Sequence, residues 1–142
     1  MTLPKAVFAT LSDESHNQLL AKVGPKYKKI YTHHVTLVYA PNKSEIDNLL
    51  KVVNEGDEVV IKVGRLFWAN GVEAIEAKVF TLDGKEVPIK NAKPHITIST
   101  DNKPPVLSND MLAQTGEFTS GFEGAQLIGG SYKGTIEFVY KF

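Results

Sequence analysis

Residues 32–41, THHVTLVYAP, set two of the chain's four histidines, His33 and His34, ahead of an alternating run that stops at Pro41. The period of two predicts a strand with His34, Thr36 and Val38 on one face and Val35, Leu37 and Tyr39 on the other. The same pattern returns 61 residues later in HITIST, residues 95–100. His34-Val35-Thr36-Leu37 and His95-Ile96-Thr97-Ile98 are two copies of His-apolar-Thr-apolar. Positions i and i+2 of a strand share a face, so each copy offers an imidazole and a hydroxyl to one side and anchors its apolar residues on the other. A shuffled chain of this composition would hold two copies in roughly 0.5% of cases, which favours an internal duplication over coincidence.

Working outward, AVFATL (6–11) is rich in strand formers, and SDESHNQLLAKVG (12–24) reads as a helix that Ser12 or Asp13 caps and Gly24-Pro25 ends. A second helix is expected in KSEIDNLLKVVNEG (43–56), with Ser44 as cap and Ile46, Leu49, Leu50 and Val53 on an apolar stripe. EVVIKVGRLFWA (58–69) and VEAIEAKVF (72–80) flank Asn70-Gly71, a dipeptide suited to a tight hairpin turn. TLDGKEVPIKNAKP (81–94) is a turn-rich connection, and DNKPPVLSNDML (101–112) is a proline-containing loop leading towards a short helical turn. AQLIGGSYKGTIEFVYKF (125–142) reads as a closing hairpin around Gly129-Gly130 or Lys133-Gly134. This order of elements indicates an α+β sandwich, and 142 residues at 42% apolar content indicate one domain over residues 1–142.

Composition removes several classes of function. The chain has no cysteine, so a disulfide scaffold, a thiolate metal site and a cysteine nucleophile are excluded. MTLPKAVFATLSDES lacks the pattern of a secretory signal, and no apolar run is long enough to span a bilayer, so a cytoplasmic protein with no membrane partner is expected. Sixteen basic and sixteen acidic residues cancel, unlike the basic footprint of a protein that grips long nucleic acid. Lys22, Lys26, Lys28 and Lys29 form a local basic segment, read either as a solvated loop or as an attractor for a polyanion.

Phosphodiester cleavage needs a base for the nucleophile's proton, an acid for the departing oxygen and donors for the phosphoryl oxygens. Two histidines near their ordinary pKa can be base and acid at neutral pH, and two threonine hydroxyls can hold the non-bridging oxygens. His34 and His95 are therefore the candidate catalytic residues and Thr36 and Thr97 the candidate substrate-binding ones, with no cofactor required. As zinc ligands, two histidines fall short of a set, and no carboxylate at helical spacing completes it.

The paired HVTL and HITI resemble the signature of the 2H phosphoesterases. Within that superfamily the chain looks most like the cyclic phosphodiesterase domain of fungal-type tRNA ligases, through LFWANGVEAIEAKV, PHITIST and KPPVLSNDML, over roughly residues 34 to 112. The resemblance implies a duplicated, bilobed fold with antiparallel sheets around a central cleft and helices outside. It also implies metal-independent hydrolysis of a 2′,3′-cyclic phosphate to a 2′-phosphate, and it carries over His34, Thr36, His95 and Thr97. No Gly-rich Gly-Lys-Ser/Thr phosphate loop accompanies these motifs. The expected partner is an RNA terminus or nucleotide bearing a cyclic phosphate. Two other readings fit the same residues: a phage-type nuclease that degrades cyclic oligonucleotide defence signals, and a module that holds RNA ends or nucleotides without turning them over.

Around this core, Tyr132 and Lys133 are candidates to stack on a base and contact a phosphate, and Lys103, with Ser108 and Asn109, to rim the cleft. His33 is expected on the opposite face from His34, at a solvent edge. His16 is expected on an exposed helix surface, and Trp68 in the core.

Overall fold

A computed structural model of the chain describes residues 2–69, 71–90, 93–102 and 124–141. The elements run β1 (Ala6–Leu11), α1 (Asp13–Val23), β2 (Lys29–Ile30), β3 (His34–Tyr39), α2 (Lys43–Leu50), β4 (Glu58–Ala69), β5 (Val72–Thr81), β6 (His95–Thr100), β7 (Gly124–Leu127) and β8 (Ser131–Val139). The eight strands form one sheet of order β2-β6-β5-β4-β8-β1-β3, with β7 also on β4. All of these pairings are antiparallel. The α+β class is as expected from the sequence.

Both helices form for local reasons. In α1 the Ser12 side chain accepts from the Ser15 N–H, and Gly24 takes the left-handed conformation that closes the last turn. In α2 the cap is Asn42 rather than Ser44. Asn42 and Glu45 form a reciprocal capping box, which leaves Ser44 inside the helix. The helix ends at Leu50, which is exposed, while Ile46, Leu49 and the following Val53 are buried. Leu19 and Val23 of α1 join these residues and the inward side chains of β1, β3, β4, β5, β6 and β8 in one apolar core.

Three strand expectations need correction. The alternation in β3 breaks after Thr36: Phe8 pairs Thr36 and Val7 pairs Val38, so Leu37 is an extra residue, and Val38 turns to the core while Tyr39 is exposed. The chain end is not a hairpin. β7 and β8 both run along β4, at Arg65–Trp68 and at Glu58–Lys62, as one line interrupted at Gly129-Gly130, where β4 has its own irregularity between Val63 and Leu66. A short strand, β2, also forms from the end of the lysine-rich segment. The loop before it is pinned by the fully buried Glu73, whose Oε1 accepts from the Lys26 N–H (3.1 Å) and the Ser99 hydroxyl (2.7 Å). The Lys26 ammonium lies 3.4 Å from Glu73 Oε2 and 3.9 Å over the Trp68 ring, so this lysine is committed to structure.

In β8, Gly134 lies between Leu11 of β1 and Val59 of β4. A Cβ there would come within 2.7 Å of Ile61 Cδ1 and 2.9 Å of the Thr10 carbonyl oxygen. Backbone on one side cannot yield as a side chain can, so Gly134→Ala should lower the unfolding free energy by about 1–3 kcal/mol in a urea titration. An unchanged midpoint would show that the central strands are looser than described.

Candidate active site

The two end strands of the sheet are consecutive pieces of one chain segment. Lys29 and Ile30 pair with Thr100 and Ser99, and the Tyr31 and Thr32 N–H groups continue the ladder to the Ile98 and Thr97 carbonyls, each at 2.8 Å. One residue later the chain has changed partner: the Leu11 N–H donates to the His33 carbonyl (2.8 Å), and Thr10 pairs His34. Consecutive residues thus serve the two ends of the sheet, and β3 contacts β6. Two residues past Thr32, His34 lies near enough to His95 for the charge of one to act on the other.

Residues directly opposite each other in a sheet share a face. His34 lies opposite Thr10, which lies opposite Thr135, which lies opposite Glu58; along β4 the same face holds Lys62, opposite Lys78, and along β5 it holds Glu76, opposite His95. Both imidazoles, with Thr36 and Thr97 two residues on, thus project from the face opposite the apolar core. The four motif side chains are all half-buried. Each motif also carries an irregularity at its fourth residue. Leu37 is extra between the pairs Thr36–Phe8 and Val38–Val7, and Ile98 is extra between Thr97–Ala74 and Ser99–Glu73.

The remaining histidines gather here as well. His34 stacks on Phe8, with ring centroids 3.8 Å apart, and His33 stacks on His16 at 5.0 Å. Burial pushes His34 down to about 4, with the charges of His33 and His95 pressing the same way. Burial also lowers His95, opposed by a hydrogen bond to the Lys93 carbonyl (2.8 Å). A carbonyl only accepts, so the proton of neutral His95 sits on Nδ1 and the lone pair on Nε2. Burial and His16 lower the exposed His33. Beside His95, the carboxylate of Glu76 is gripped by Arg65 through Nε (2.9 Å) and Nη2 (3.3 Å).

The structure does not bring Tyr132 to this place. Its side chain is buried in the apolar core on the other face of the sheet, and burial raises its pKa. The neighbouring Lys133 is exposed on the histidine face. Lys103, Ser108, Asn109 and the 103–112 part of the proline-containing loop lie outside the described residues. His16 is not a bare surface residue, since its Nδ1–H donates to the Thr32 carbonyl at 2.6 Å. Phe8 was visible in the sequence as an aromatic out of phase with the core positions Val7, Ala9 and Leu11. His16 and Thr32 left no comparable signal.

A family model for the fungal tRNA ligase phosphodiesterase domain matches residues 5–131. The chain belongs to this family. No curated protein matches the sequence significantly. Among solved structures, one described as the crystal structure of a fungal RNA kinase superposes with a TM-score of 0.66 at 15% identity, covering 99% of this chain and 46% of that one. This chain therefore spans under half the length of that neighbour, and the likeness is one of fold. Membership of the family supports a phosphodiesterase hydrolase in general. Among the described residues no helix is long and apolar enough to cross a membrane.

Folding lowers the pKa of His34 from 6.5 to about 4, so between those values the unfolded chain binds a proton that the folded one refuses. The stability due to a neutral, buried His34 is complete above pH 6.5 and is lost as pH falls, by on the order of 3 kcal/mol. Urea titrations at pH 7 and about pH 4.5 should show a larger drop for the wild type than for His34→Gln. Equal drops would mean that His34 is not buried as described.

Proposed function

We propose that the protein is a metal-independent phosphodiesterase that hydrolyses 2′,3′-cyclic phosphates on RNA ends or nucleotides, with His34 as base and His95 as acid. The observation that carries this reading is that both motifs face the same side of the sheet, away from the apolar core, with a threonine two residues beyond each histidine and His95 near enough to act on His34. A phosphate between them meets a proton acceptor, a proton donor and two hydroxyl donors. The family match supports the reaction class. The matched irregularities at Leu37 and Ile98 support reading the chain as a duplication with one motif per half.

His34 takes a proton from water as the water oxygen bonds to phosphorus, the P–O bond to the 3′-oxygen breaks, and His95 gives that oxygen its proton. The product is a 2′-phosphate and a 3′-hydroxyl, and a proton passing from His34 to His95 through solvent restores the pair. Thr36 and Thr97 donate to the non-bridging oxygens, where charge accumulates. The assignment follows the environments. The Lys93 carbonyl favours a charged His95, whereas stacking on Phe8 and burial favour a neutral His34.

The decisive assay incubates the protein, in EDTA, with 2′,3′-cyclic AMP, an RNA ending in a 2′,3′-cyclic phosphate, and a set of cyclic di- and trinucleotides. We expect turnover of the 2′,3′-cyclic substrates and a loss of at least about 100-fold in both His34→Ala and His95→Ala. On a substrate with a p-nitrophenolate leaving group, which needs no proton, His95→Ala should recover more activity than His34→Ala. Preference for cyclic oligonucleotides would change the substrate, and no turnover by folded protein would make the domain a binding module.

The lowered pKa values also set a pH dependence. The competent form has one neutral and one protonated histidine, and both free-enzyme values lie below 6.5. The kcat/KM profile should therefore peak on the acid side of 6.5, with the kcat optimum at higher pH because a bound phosphate anion favours imidazolium. A kcat/KM optimum above pH 7 would contradict the burial of the pair.

A further inference from the structure

Thr32 stands at the joint where the closing segment leaves β6 for β1. Its φ is +57°, a left-handed conformation that a β-branched side chain disfavours. It is nonetheless completely buried. Strain of this kind, on the order of 1–3 kcal/mol, persists only where the surroundings over-determine it. Here three polar groups of one residue are fixed. The N–H donates to the Thr97 carbonyl (2.8 Å), the hydroxyl donates to the Ile98 carbonyl (3.3 Å), and the carbonyl accepts from His16 Nδ1 (2.6 Å). The first two bonds end on the second motif, and the third ends on α1.

The joint also governs the first motif. Two residues after Thr32 comes His34, and the residue between them, His33, is stacked on the same His16 ring with an interplanar angle of 5°. A single imidazole of α1 thus holds the carbonyl of the joint and the side chain of the next residue. His16 lies on the helix that Ser12 caps, and that helix is anchored to β8 by the Lys133 N–H donating to Ser15 Oγ (3.0 Å).

We propose that His16 and Thr32 form a positioning strut that fixes the distance between the two motifs, with His16 acting through the Thr32 carbonyl and not on substrate. The strut holds the left-handed joint where the chain passes from β6 to β1, and so fixes where β3 carries His34 relative to β6 and His95. This inference rests on the reading of His34 and His95 as the reacting pair, and it adds a residue outside both motifs on which their alignment depends.

The test compares the wild type with His16→Ala, His16→Asn, His34→Ala and His95→Ala. Asparagine can present an amide N–H where His16 Nδ1–H lies. On a 2′,3′-cyclic-phosphate RNA, His16→Ala should lower kcat by about tenfold or more with KM changed by less than about twofold, and His16→Asn should restore most of the loss. In the same proteins, NMR titration of the imidazoles should show His34 moving up towards ordinary histidine behaviour in His16→Ala but not in His16→Asn. A helix residue that contributed only stability would lower the unfolding midpoint and leave both readouts unchanged. Unaltered kcat in His16→Ala while both motif variants are inactive would overturn the strut alone. If the motif variants stay active the reading of the pair fails, and the His34 titration still decides whether the strut exists.

Discussion

The structure depends on a single segment, residues 29–39, that belongs to both ends of the sheet. Its first half hydrogen-bonds to β6 and its second half to β1, so one short segment supplies the strand at each end of the seven-strand path and ties those ends together. Because β2 and β6 are antiparallel, the two motifs run in opposite directions past each other. β3 contacts β6, which brings the two motif strands together. One covalent connection therefore replaces many independent constraints on the geometry.

This arrangement explains why so short a motif suffices. Burial is the main cause that lowers both histidines, which favours a neutral pair in an empty site. In the proposed mechanism a phosphate anion between them would reverse the sign of the local field and favour one proton. The substrate would then charge the site, a form of differential stabilisation in which interactions strengthen as negative charge accumulates on phosphorus-bound oxygens. The acidic neighbour on the same row, Glu76, is neutralised by Arg65 and so does not oppose the anion.

Much of this was legible in the sequence because it is local. The alternation in 34–37 and 95–98 gave two strands and two sets of side chains on one face, and β4 took the range expected of it while β5 runs one residue further, to Thr81. Ser12 and Gly24 bounded α1 as expected. What was not legible is long-range. The exchange of partners at Thr32 is invisible because threonine is an ordinary strand residue, and only tertiary bonds hold it in a left-handed conformation. Tyr132 was misread for a similar reason. A tyrosine beside glycines and a lysine suggests a loop, but β8 is a central strand in which Tyr132 takes the core face and Lys133 the other. Gly129-Gly130 imitates a hairpin turn and instead marks a break in one line of pairing along β4.

The central claim is that His34 and His95 engage one phosphate together, and a ligand titration tests it without depending on catalysis. Protein labelled with 15N in its imidazoles would be titrated with adenosine 2′-monophosphate while the His34 and His95 ring resonances are followed by long-range 1H–15N NMR. The account predicts that both respond along one isotherm with a single Kd, His95 gaining protonated character as the site fills. A response from only one of the two, or two separate affinities, would contradict a shared site.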